Sequence, residues 1–130
     1  MEAGLTRVLA ALALLGLAAC STNYTAVPVS TGDWGGLNVE LHVTETGATA
    51  RFKCGAEGAL TAPLTLDSSA HFDVGGTYES RLVQSGPQPA TYLGAVTADR
   101  LMLTVRLDGQ SLGPFDLQLN QPSTFEPCNF

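Results

Sequence analysis

The chain has 130 residues, 45% of them hydrophobic, and carries 12 acidic against 6 basic side chains, for a formal net charge of −6. The basic side chains are few and scattered, which argues against nucleic acid and anionic lipid surfaces as partners, since both require clustered Lys or Arg. The length allows one small domain, close to the lower limit at which a single hydrophobic core gives adequate stability.

The first 20 residues have the pattern of a secretory signal that ends in a cysteine. Arg7 precedes an uninterrupted apolar run at 8–17, which is too short to cross a bilayer core of about 30 Å as a stable helix. The run closes in Leu17-Ala18-Ala19-Cys20, which resembles the lipobox of bacterial lipoproteins. That resemblance implies a diacylglyceryl group on Cys20, cleavage before it, and an anchor of two or three acyl chains, palmitate among them. An ordinary signal peptide with an accidental cysteine is the alternative.

We therefore expect three segments: a lipoprotein signal peptide, helical before cleavage, at 1–19, a lipidated cysteine and tether at 20–31, and a folded domain at 32–130. A short edge strand at 24–29 is the alternative to a free tether. Ser21 stands where many Gram-negative lipoproteins of the inner membrane carry an aspartate. The resemblance thus implies an outer-membrane lipoprotein, exposed to the periplasm or at the surface.

After the tether, apolar and polar residues alternate. The segment 37–44 alternates at every position and predicts the first strand, and 48–54 predicts the second, with Phe52 and Cys54 facing inward. A third strand is expected at Leu60–Leu66, where Pro63 indicates an edge or bulge. The fourth strand is expected at 71–78, with a bend at Gly75-Gly76. The remaining predicted strands lie at 92–96, 101–107 and 112–119, with a short last strand in 122–130.

This pattern predicts an all-β domain, because no stretch after Cys20 has a helical period with a cap. Seven or eight strands joined by Gly, Asp and Pro turns form an antiparallel meander. We expect the meander to close as a 7–8 stranded barrel, which removes its edges, with a β-sandwich as the alternative.

Cys54 and Cys128 are the two cysteines of the expected domain. Secretion would place them in an oxidising compartment, where pairing is the default. A disulfide between them closes a loop of about 75 residues, for which the chain-entropy model gives roughly 4 kcal/mol. Two free thiols or a metal pair are the alternatives, but two cysteines lack the four ligands of a structural zinc site.

Residues that carry catalytic chemistry are present without a pattern that joins them. His42 and His71 fall at polar positions of different predicted strands and are interpreted as solvent-facing. Acidic pairs such as Asp73 and Glu79 can be chosen, but the acids are scattered, and no G-x-S-x-G sequence accompanies the serines. The sequence therefore predicts no enzyme, no metal site and no cofactor.

Gly32-Asp33-Trp34 resembles the G-x-W motif that opens the barrel of lipocalins, although their second motif is missing. The resemblance implies that Trp34 plugs one barrel end and that an arginine, here Arg100 or Arg106, packs on it. The domain is also similar to small secreted bacterial β domains of uncharacterised function, which share its Trp-Gly-Gly before the first predicted strand, a cysteine that ends the second, and a terminal cysteine.

The predicted function is a lipid-anchored, non-enzymatic binding module for an envelope protein or a small apolar ligand. Trp34, Tyr78, Tyr92 and the loop 86–89 are the predicted binding residues. The small β-barrel lysozyme inhibitors of bacterial envelopes are lipoproteins of this kind, so hydrolase inhibition is one specific form. A structural or assembly component of the envelope with no small ligand is the alternative.

Overall fold

The computed structural model describes residues 26–82 and 86–129, which form ten strands and one 3-10 turn. The predicted signal peptide at 1–19 and Cys20, the predicted lipidation site, lie outside the described residues. In chain order the elements are β1 (Val27–Pro28), β2 (Gly32–Gly36), β3 (Val39–Val43), β4 (Ala48–Phe52), the 3-10 turn (Lys53–Gly55), β5 (Glu57–Leu60), β6 (Thr65–Leu66), β7 (His71–Glu79), β8 (Gln88–Thr97), β9 (Arg100–Leu107) and β10 (Gln110–Leu119).

Eight of the strands form a closed antiparallel barrel in the order β10-β2-β3-β4-β5-β7-β8-β9. Each strand pairs with the next barrel strand along the chain, and the pairs Leu117 with Gly36 and Leu119 with Trp34 join β10 back to β2. The predicted all-β barrel is therefore confirmed, and the sandwich alternative is wrong. Closure leaves none of these eight strands with an unpaired edge.

The alternation of apolar and polar residues sets which side chains fill the barrel. In β3 and β4 every second residue is buried, and the residues between them face outward, as expected for a half-buried strand. The core comprises 19 buried apolar residues: Val29, Trp34, Val39, Leu41, Val43, Ala48, Ala50, Phe52, Ala56, Leu60, Leu64, Phe72, Val74, Ala90, Tyr92, Leu101, Leu103, Val105 and Leu117.

Glycines were the least well predicted part of the strands. Gly58 was expected to end a strand, yet it lies inside β5. This strand position holds a glycine because the Tyr92 hydroxyl fills the space that a Cβ would take. Gly76 was expected to bend β7, yet the pairing of β7 with β8 runs without interruption from His71 to Tyr78. A Cβ at Gly76 would meet the Ala59 backbone, so this glycine permits close strand approach.

The two ends of the barrel are closed differently. We call the end at which β3 connects to β4 and β8 connects to β9 the first end of the barrel. The end at which β9 connects to β10 is the second end. At the first end, β1 pairs with β6 as a separate two-stranded sheet, and Val29 donates a backbone hydrogen bond of 2.9 Å to Leu64. Both residues are buried. The segment expected as a tether therefore contains the short strand that was its alternative.

After β10 the chain 120–129 returns along the outside of β2 and β3 to the second end, and we call this segment the strap. A disulfide joins Cys128 to Cys54, with 5.5 Å between their Cα atoms. The strap forms one isolated bridge, Thr124 with Leu37, in place of the expected last strand. Cys54 was expected to face inward on a strand, but it lies half-buried in the 3-10 turn with a φ of 67°.

Candidate functional site

Trp34 lies inside the barrel near its first end. It is fully buried, and its Nε1 donates a hydrogen bond of 3.0 Å to the Ser30 carbonyl. The predicted arginine partner is wrong for both candidates, because Arg100 and Arg106 face outward from β9. Arg100 instead pairs with Asp116 at 2.6 Å on the barrel surface.

Tyr92 crosses the interior nearer the second end. Its hydroxyl donates a hydrogen bond of 2.6 Å to the Thr77 carbonyl and lies directly beneath Gly58. Burial raises the pKa of this phenol, with a smaller contribution from Tyr78. Tyr92 is therefore a neutral, hydrogen-bonded core residue at any physiological pH.

Tyr78 is half-buried among aromatic rings at the second end. Its ring centroid lies 5.4 Å from that of Phe52, and Phe52 lies 5.6 Å from Phe115. Burial raises the pKa of the Tyr78 phenol. Of the three aromatic residues predicted to bind a ligand, only Tyr78 has exposed surface, and ligand binding by the three stays a prediction.

The barrel interior is filled by its own side chains. Trp34, Tyr92, Leu41, Leu101 and Leu103 are among its largest residues and are fully buried. The recesses found among the described residues all lie on the outside or at the ends of the barrel. A partner would therefore bind to the outer surface of the barrel.

One recess lies on the outside of three neighbouring strands, β4, β5 and β7, and measures about 410 Å³. We call it the β4–β7 groove. Its middle is low because Ala59, the outward residue of β5 between Thr49 of β4 and Thr77 of β7, carries only a methyl group. The lining consists of Thr49, Ala50, Arg51, Glu57, Gly58, Ala59, Thr77, Glu79 and Pro87.

A second recess of about 230 Å³ continues the groove toward the disulfide and shares Arg51 and Glu57 with it. Phe125 of the strap forms one wall, 40% exposed. The Arg51 guanidinium lies 5.6 Å from the centroid of the Phe125 ring, within the range of a cation–π contact. The strap therefore shapes this extension of the groove.

Charged side chains follow the groove in one cross-strand row. Arg51 donates a hydrogen bond to Glu40 across β3 and β4, and this contact raises the pKa of Arg51. Glu57 lies 3.7 Å from Arg81 and directly opposite Glu79 on β7. The Glu79 carboxylate has no ion-pair or hydrogen-bond partner within 26–82 and 86–129.

Of the residues predicted to bind a partner, only Pro87, in the loop 86–89, lines this groove. Glu57 and Glu79 were counted as scattered acids, because they are 22 positions apart and the pairing of β5 with β7 was not foreseen. Once Gly58 is recognised as a strand residue, the alternation assigns Glu57 and Ala59 to the outer face. That assignment depends on the pairing of β5 with β7, which the sequence does not show.

The two histidines are exposed, as predicted. His42 and Asp33 lie opposite each other on β3 and β2, with 2.6 Å between Nδ1 and Oδ1. Both side chains are more than half exposed. Within the described ranges no group of three or more His, Cys, Asp or Glu is arranged to hold a metal ion.

The comparisons with known proteins give no family for the chain: no family model, no curated protein and no solved structure matches it. In the part of the chain that the structure describes, no helix has the length and apolar character needed to cross a membrane. The predicted lipobox, Leu17-Ala18-Ala19-Cys20, lies outside the described residues.

Proposed function

We propose that the protein is a lipoprotein of the bacterial envelope, anchored through lipid on Cys20, whose barrel binds a protein partner without catalysing a reaction. The observation that carries this proposal is the β4–β7 groove: a recess on the outside of a barrel whose interior is already filled. Because the groove is built on three paired strands, its shape is fixed before binding, which lowers the entropic cost of association.

A protein suits the groove better than a small apolar ligand. The groove is open along its length and lined by threonine, glutamate and arginine beside small apolar residues. Small-molecule sites instead bury most of the ligand's surface in a concave cavity. Hydrolase inhibition is one form that such binding takes, and a lytic assay with the purified protein tests it.

The proposed anchor rests on the sequence Leu17-Ala18-Ala19-Cys20. From Cys20 to Ala26 the chain spans at most about 21 Å when fully extended, so the lipid holds the barrel close to the bilayer. Replacement of Cys20 by serine should abolish incorporation of radiolabelled palmitate and release the protein from the membrane fraction. Palmitate labelling that persists in Cys20→Ser would refute the anchor.

The groove is tested by photo-crosslinking in living cells with the anchored, full-length chain. A photoreactive amino acid at Thr49, on the groove, should give a crosslink to an envelope protein. The same amino acid at Met102, an outward position of β9 on another side of the barrel, is the control and should give none. Ala59→Tyr should remove the crosslink from position 49, because its side chain fills the groove.

Equal crosslinking from positions 49 and 102 would contradict a groove-specific partner and favour the alternative, a structural component of the envelope. Native mass spectrometry of the mature chain with Cys20→Ser provides the second arm. If a small molecule remains bound to the protein, the proposal of a protein partner is wrong and a small ligand takes its place.

A further inference from the structure

The β4–β7 groove carries one negative charge that its surroundings do not neutralise. Arg51 is paired with Glu40, and Glu57 with Arg81. Glu79 is left without a partner in the described part of the chain, and it faces Glu57 across the β5–β7 pair. Opposite residues of antiparallel strands have Cβ atoms about 5 Å apart, so two carboxylates lie side by side at the edge of the recess.

Like charges directly opposite each other destabilise a pair of strands. The cost is relieved when a cation lies between the two carboxylates. The recess beside Glu79 is bounded by Thr49, Ala59 and Thr77, small side chains that leave room for a long one. The net charge of −6 also attracts basic proteins before contact.

We propose, on the basis of the protein-binding role above, that the groove receives an arginine or lysine side chain of the partner and that Glu79 is its main ion-pair acceptor. Glu57 is the secondary acceptor, because Arg81 already neutralises part of its negative charge. The partner is therefore a protein that presents a basic side chain on an extended or protruding segment.

The probe is the peptide acetyl-Gly-Arg-Gly-Arg-Gly-amide, titrated into the mature chain with Cys20→Ser and followed by amide NMR. This chain retains the whole core, which lies within 29–117. Amide shifts should concentrate at Gly58, Ala59, Thr77 and Glu79. The same peptide with citrulline in place of arginine keeps the shape without the charge, and it should bind more weakly.

Glu79→Gln should weaken the arginine peptide about two- to fivefold, the range for loss of one exposed ion pair. Asp73→Asn is the matched control, since it removes one exposed carboxylate from the same strand outside the groove, and should leave binding unchanged. Three results would overturn the assignment. The citrulline peptide could bind as tightly as the arginine peptide, Asp73→Asn could weaken binding as much as Glu79→Gln, or the amide shifts could spread over every acidic surface.

These outcomes are separate from those of the crosslinking experiment. A groove-specific crosslink combined with no effect of Glu79→Gln would leave a protein-binding groove and refute the cationic specificity alone. Loss of the crosslink specificity would refute the groove itself, whatever the peptide does.

Discussion

The contact between Gly58 and Tyr92 sets the floor of the groove, and it gives the sharpest test of the structure. A Cβ added at Gly58 would overlap the Tyr92 hydroxyl and lie 3.1 Å from the Thr77 carbonyl oxygen. Gly58→Ala must therefore push the hydroxyl away from that carbonyl, to which it donates a hydrogen bond of 2.6 Å.

The expected cost has two parts. Overpacking a core costs about 1–3 kcal/mol, and leaving a buried polar group without its hydrogen bond costs about 1–3 kcal/mol more. Gly58→Ala should thus lower the free energy of unfolding by about 2–5 kcal/mol. In a Tyr92→Phe background the overlapping hydroxyl is gone, and the same change should cost about 1 kcal/mol, since the ring still lies close.

Urea unfolding followed by Trp34 fluorescence measures all four proteins of this double-mutant cycle, because Trp34 is the only tryptophan and is fully buried. Gly75→Ala is the control: a Cβ there meets nothing within 4 Å, and stability should stay equal or rise by about 0.4–1 kcal/mol. If Gly58→Ala costs the same with and without the Tyr92 hydroxyl, the proposed overlap is refuted.

Two further predictions concern the disulfide and one turn. The paired change Cys54→Ser and Cys128→Ser removes a crosslink that spans 74 positions and should lower the free energy of unfolding by up to about 4 kcal/mol in urea; an unchanged midpoint would show that the disulfide contributes nothing. Backbone N–H groups of His71 and Ser69 bond Asp67 and lower the pKa of its carboxyl, so its stabilisation is present above the unfolded pKa and is lost as pH falls through the folded one. Asp67→Ala should lower the melting temperature at pH 7 and have little effect near pH 2, and an equal loss at both values would contradict this assignment.

The sequence predicted a strand well where every second residue is apolar and faces the core. Val39–Val43 and Arg100–Leu107 follow the period-two rule with little interruption, and Asp108-Gly109 forms the expected hairpin turn. The rule failed at Gly58 and Gly76, because a glycine that ends a strand and a glycine that admits a neighbouring atom look the same in a sequence. Only the pairing of β5 with β7 separates the two cases, and it also places Glu57 beside Glu79.

The G-x-W resemblance describes the first end of the barrel better than its interior. Trp34 is buried inside the barrel near this end and donates a hydrogen bond to the Ser30 carbonyl, while Arg100 and Arg106 face outward. An eight-stranded barrel is just wide enough for side chains to fill it or for one small ligand to enter. Here the Phe72 ring occupies the space beside Gly94 and Tyr92 crosses the centre, so a ligand inside would have to displace both. Tyr92 also lies directly beneath Gly58 of the groove, and because the interior is filled, recognition is assigned to the outside of the barrel.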